Sequence, residues 1–135
     1  MHNKVREVHH VATLVWDASL ADGAQAWASQ CAFQHSSPDG AYGENLYAST
    51  GVQDPVADSV AQWAAEESSY SFAGGQFSEA TGHFTQVVWK GTKHLGCGIA
   101  SGCGANNDGM DTLVVCRYGP AGNVLGTFTT NVLPP

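Results

Sequence analysis

Apolar positions recur along this chain in two periods, and each change of period marks an element. Leu20, Ala24, Trp27, Ala28 and Cys31 fall at helical spacing behind Asp17, a good N-cap, so a helix is predicted to about residue 31. A shorter helix is predicted over 3–10. Residues 36–43 carry Ser, Pro, Asp and Gly and read as a loop, followed by an extended piece over 44–48. Asp54-Pro55 supplies an N-cap and a Pro at the first helical position. The helix it opens is predicted to about residue 69, with Val56, Val60, Trp63 and Ala64 inward. Residues 70–81 form an aromatic, Gly-containing loop. Two strands, 94–100 and 112–118, flank a Gly- and Asn-rich connection over 101–111.

The chain has 135 residues, which implies one domain spanning 1–135 with a real core. Its net charge of −7 with only five basic residues gives no basic patch for nucleic acid and disfavours anionic membranes. No run of about 18 apolar residues is present to span a bilayer. No charged-then-apolar segment opens the chain, so a mature or trimmed form with its export signal removed is expected.

Four cysteines, Cys31, Cys97, Cys103 and Cys116, lack the C-x-x-C spacing of zinc or redox sites, which favours disulfides and an extracellular, oxidising compartment. Folding the predicted hairpin about Asn106-Asn107 sets Cys97 opposite Cys116. Cys31 is then left to pair with Cys103. That second bridge closes a loop of about 70 residues, for which chain entropy gives roughly 4 kcal/mol.

Four residues carry candidate chemistry: His35, Glu44, Glu66 and His83. Glu44 follows Gly43, which lets the backbone approach another segment closely. Two His and two Glu can hold a divalent metal through the imidazoles, activate water as a general base, or form a self-satisfied polar network. No nucleophile stands in a G-x-S-x-G elbow and no H-E-x-x-H occurs.

Several motifs coincide in order along the chain. Gly43-Glu44-Asn45-Leu46 resembles the "GENL" element of the CAP superfamily of cysteine-rich secretory, antigen 5 and pathogenesis-related proteins. Gly82-His83-Phe84-Thr85-Gln86-Val87-Val88-Trp89 resembles its first signature, and 114–124 its second; His2-Asn3 with Arg6 is similar to its N-terminal "HNxxR". The resemblance implies an α/β fold, a three-layer α-β-α sandwich around a three-stranded antiparallel sheet. It implies that His35, Glu44, Glu66 and His83 line one cavity, with Glu66 chosen over Glu67 by the family's W-x-x-E after Trp63. It agrees with Cys31–Cys103 and Cys97–Cys116. An extra cysteine pair of the plant members is missing before Gly82, which points to the fungal, yeast-type branch.

In that branch, an aromatic pattern matching Tyr70, Phe72 and Phe77 resembles a sterol-binding loop. The expectation is therefore a secreted protein, not an enzyme, that solubilises, exports or sequesters sterols such as ergosterol or cholesterol, sterol esters and fatty acids. No cofactor is required; a divalent metal, Zn²⁺ or Mg²⁺, is an optional guest at His35 and His83. The alternative is a metal-dependent hydrolase, protease or esterase, built on the two-His, two-Glu cavity. A host target is a third kind of partner.

Overall fold

The computed structural model describes residues 1–36 and 40–135. Helix α1 spans His2–Val8, α2 Ala18–Ala28, α3 Pro55–Ala65, α4 Gly82–Val87 and α5 Phe128–Asn131. Strands are β1 Val15–Trp16, β2 Gly43–Ser49, β3 His94–Ala100 and β4 Thr112–Gly119. Within the loop predicted over 36–43, residues 37–39 lie outside the described residues.

The sheet order is β1-β3-β4-β2. β4 pairs antiparallel with β2 and β3. The expected three strands thus form the body of the sheet, and the structure corrects their number to four. β1, two residues long, lies parallel to β3 with Val15 beside His94. Two residues are too few to leave a periodic signal, and Asp17 ends the strand by capping α2 through a 2.9 Å bond from the Leu20 amide.

β4 is covered on both faces, which explains its nearly unbroken apolar run. Leu113 and Val115 face α2 and pack with Ala24, Ala28 and Leu46. Val114, Cys116 and Tyr118 face the other layer, with Val60, Trp63, Phe84, Val88 and Phe128. α2 comes unusually close to β3: a Cβ on Gly98 would sit 2.4 Å from the Gln25 Cα, and one on Gly96 2.1 Å from the Ala21 amide nitrogen. These glycines, two apart, clear one face of the strand for the helix backbone.

The helix predicted to about residue 69 is α-helical only to Ala65; Glu66–Ser69 tighten into a 3₁₀ turn. Val60 and Trp63 point inward as expected, whereas Val56 is substantially exposed at the rim of a groove. Both predicted bridges form. Cys97 and Cys116 are register partners across β3 and β4, and Cys31–Cys103 ties the end of α2 to the hairpin connection.

The N-terminal motif holds the two helical ends together. Arg6 is fully buried and donates from Nε to the Ala12 carbonyl, from Nη1 to those of Val87 and Trp89, and from Nη2 to that of Thr92. It thereby satisfies the carbonyl of Val87, the last residue of α4, and those of Trp89 and Thr92 in the turn that follows. Burial pulls its pKa down to about 10, so it remains charged at neutral pH.

Candidate functional site

β2 places Glu44 directly across from Arg117 on β4. Its carboxylate, with a side chain only 5% exposed, is surrounded by donors. The Ser36 amide reaches Oε1 at 2.9 Å and His35 Nδ1 the same oxygen at 3.1 Å; the Ser36 hydroxyl and Arg117 Nε reach Oε2 at 2.5 and 3.1 Å. Burial pushes this carboxyl up, but the bonds from His35, Ser36 and Arg117 together override burial and hold it at about 2. Arg117 also donates to the Ser36 hydroxyl at 2.8 Å and lies 4.3 Å over the Tyr42 ring. Gly43 makes the close approach expected of it: a Cβ there would stand 2.0 Å from Gln86 Oε1.

The second pair is built at the start of α4. Glu66, first residue of the 3₁₀ turn, accepts from the His83 and Phe84 amides, both at 3.0 Å, through Oε1. Its Oε2 meets His83 Nδ1 at 2.7 Å. One carboxylate from a neighbouring element therefore caps α4 and orients the imidazole, while Trp63 stacks on that ring at 5.9 Å. Glu67 faces His9 instead, at 3.4 Å.

Asn45 carries the polar network deeper. Its Nδ2 donates to the His83 carbonyl at 3.1 Å and to the Tyr118 hydroxyl at 3.2 Å. Tyr118 is then left to donate to His2 Nε2 at 2.7 Å. This direction requires a neutral His2, and burial, with the chain's amino terminus and Arg6 adding positive charge, lowers its pKa to about 4.

The two pairs flank a cavity of about 380 Å³ lined by His35, Glu44, Asn45, Phe77, His83 and Asn123 among others. Glu66 supports His83 without itself lining the cavity. Because each carboxylate takes an Nδ1–H, Nε2 of each imidazole is the unprotonated nitrogen, with no hydrogen bond to it among the described residues. Two imidazoles lining one cavity are the donors that an optional Zn²⁺ or Mg²⁺ guest would use, and both carboxylates beside them are already taken up by hydrogen bonds. Among the described residues no three His, Cys, Asp or Glu side chains are grouped to hold a metal. Both carboxylates are engaged, and one whose pKa is about 2 is a poor general base at neutral pH. No observation favours the hydrolase alternative.

The sequence profile of the cysteine-rich secretory protein (CAP) family matches residues 1–118. The chain belongs to the CAP family. Within it, this CAP domain falls in the fungal pathogenesis-related branch. It is 42% identical over 139 residues to Protein PRY2 of Saccharomyces cerevisiae and 45% identical over 134 residues to Secreted protein RBT4 of Candida albicans. These alignments cover 98% and 93% of this chain but 39% and 34% of those proteins, so the chain spans well under half of either relative. The solved venom allergen-like protein 4 of Schistosoma mansoni superposes with a TM-score of 0.72 at 25% identity, over 88% of this chain and 83% of that one.

In this CAP domain the three loop aromatics separate. Tyr70 is buried and Phe72 partly buried, with ring centroids 5.0 Å apart; both pack on Phe84. Phe77 is 47% exposed and borders the polar cavity. An open apolar groove of about 410 Å³ lies elsewhere, between α1, α3 and β3, with Trp16, Val56, Val60, Leu95 and Ile99 on its walls. Sequence reasoning did not anticipate this groove or the roles of Ser36, Asn45, Arg117 and Tyr118. Arg117 alone left a signal, as the one charged residue inside the apolar strand 112–119.

Proposed function

We propose that this CAP domain is a secreted carrier that binds sterols and other small lipids, including sterol esters and fatty acids, and does not transform them. The observation that carries the reading is the open apolar groove of about 410 Å³ between α1, α3 and β3, with few polar side chains on its walls. Phe77, the loop aromatic that reaches solvent, offers a second apolar contact. Two disulfides and relatives such as Secreted protein RBT4 support an extracellular setting.

The test is a titration of the purified protein with radiolabelled ergosterol. Saturable binding is expected, weakened roughly tenfold by Ile99→Asp, since a carboxylate on the groove wall opposes burial of a lipid. Failure to saturate, or an unaltered Kd in the variant, would overturn this assignment of the site.

A further inference from the structure

The large apolar side chain with the highest fractional exposure among the described residues lies on neither the polar cavity nor the apolar groove. Leu125 is 78% exposed, its neighbour Val124 50% and Phe77 47%. Leu125 stands at the apex of a tight turn: the Thr127 amide bonds the Val124 carbonyl at 3.2 Å, and Gly126 takes φ +84°. That is a type II pattern, with Leu125 at the first corner and the obligatory left-handed residue at the second. The loop bearing Phe77 comes to the same place. Leu125, Phe77, Gly74, Gly75 and Gln76 border one groove of about 470 Å³, and the Phe77 ring lies 6.4 Å from Phe128.

The tip is fixed from below. Phe128 is buried beneath it, and α5 is held to the body through Asn131, whose Oδ1 accepts from the Gly91 amide at 3.0 Å. Charge is sparse around both loops, the nearest in sequence being Glu79, two residues beyond Phe77. No Asp, Glu, Lys or Arg occurs in 68–78 or 118–135, in a chain with twelve acidic and five basic residues.

We propose that Phe77, Val124 and Leu125 form a docking tip that inserts into the surface of a zwitterionic lipid bilayer. Apolar side chains on a turn apex can enter between headgroups, and the uncharged segment 118–135 lets Val124 and Leu125 approach with little desolvation cost. The net charge of −7 excludes attraction to an anionic surface as the driving force. Three side chains fall well short of the roughly 800 Å² per partner that a stable protein interface needs, which disfavours a second copy as the occupant. The inference rests on the lipid-carrier reading for its purpose, a route by which lipid is collected or delivered, but not for its geometry.

The experiment is flotation of the chain with pure phosphatidylcholine vesicles at low and high salt, with phosphatidylserine-containing vesicles in parallel. The expected result is flotation with phosphatidylcholine that salt does not reduce, and weaker flotation with phosphatidylserine at low salt. Leu125→Asp and Phe77→Asp should each lower the vesicle-bound to free ratio roughly tenfold, the change that losing one large apolar side chain from the interface produces. Leu125→Asp should retain ergosterol binding in solution, so loss of docking is separable from failure of the carrier reading. Wild-type protein that does not float, variants that float equally well, binding to phosphatidylserine vesicles alone, or a dimer that Leu125→Asp converts to monomer would each overturn the proposal.

Discussion

Glu44 and His2 show how single side chains set the acid response of this domain. Glu44 has its pKa depressed in the fold to about 2, so its stabilising contribution is fully present above the ordinary carboxylate value of 4.5 and is lost as pH falls towards 2. His2 is depressed from 6.5 to about 4, so its contribution is present above 6.5 and is lost as pH falls towards 4. Urea denaturation across this range should therefore show two successive losses. Glu44→Gln should remove the lower one and His2→Gln the upper; a stability–pH curve unchanged in both variants would contradict these assignments. Arg6 belongs to the same scale. Arg6→Met takes a donor from four carbonyls, of which that of Trp89 keeps the Thr92 amide, and a loss of about 3 kcal/mol or more is expected in equilibrium unfolding. Arg6→Lys, lacking the planar fork, should recover only part of it.

Among the elements, the close contact of α2 with β3 is the most demanding. Gly98→Ala would force a Cβ against the Gln25 backbone, where no side-chain rotation can relieve it. A loss of about 1–3 kcal/mol is expected from thermal or urea unfolding, and an unchanged midpoint would mean that the helix moves away freely. The elements differ in how legible they were. α2, β3 and β4 have long periodic patterns and strong end signals, and they form within a few residues of the expected limits. β1 and α4 are too short to carry a period, and the change from α3 to a 3₁₀ turn has no compositional mark. Glu44, Glu66 and His83 were legible as members of motifs, and His35 only through the resemblance those motifs carry. Their partners were not, because Ser36, Asn45 and Arg117 act through contacts up to 81 residues apart that only the folded topology brings together. The apolar groove was hidden for a related reason: its walls come from α1, β1, α3 and β3, none of which looks unusual alone.

At the scale of the whole molecule, two bridges of different span stabilise the sheet and the cavity rim. Cys31–Cys103 joins residues 72 apart and Cys97–Cys116 residues 19 apart. Chain entropy assigns the longer closure about 4 kcal/mol and the shorter about 3. The paired variant Cys31→Ala/Cys103→Ala should therefore unfold at lower urea than Cys97→Ala/Cys116→Ala; the reverse order would show that packing at the buried Cys116 outweighs loop length. The longer bridge also fixes Cys31, three residues past the end of α2 and four before His35, against the hairpin. It supports one flank of the polar cavity, while the apolar groove opens between other elements. The central claim is that this groove holds lipid. Its most direct test is titration of ergosterol into isotope-labelled protein with amide shifts followed by NMR. The account predicts saturable shifts centred on Trp16, Val60, Leu95 and Ile99. Shifts centred on His35 and His83, or none at all, would contradict it.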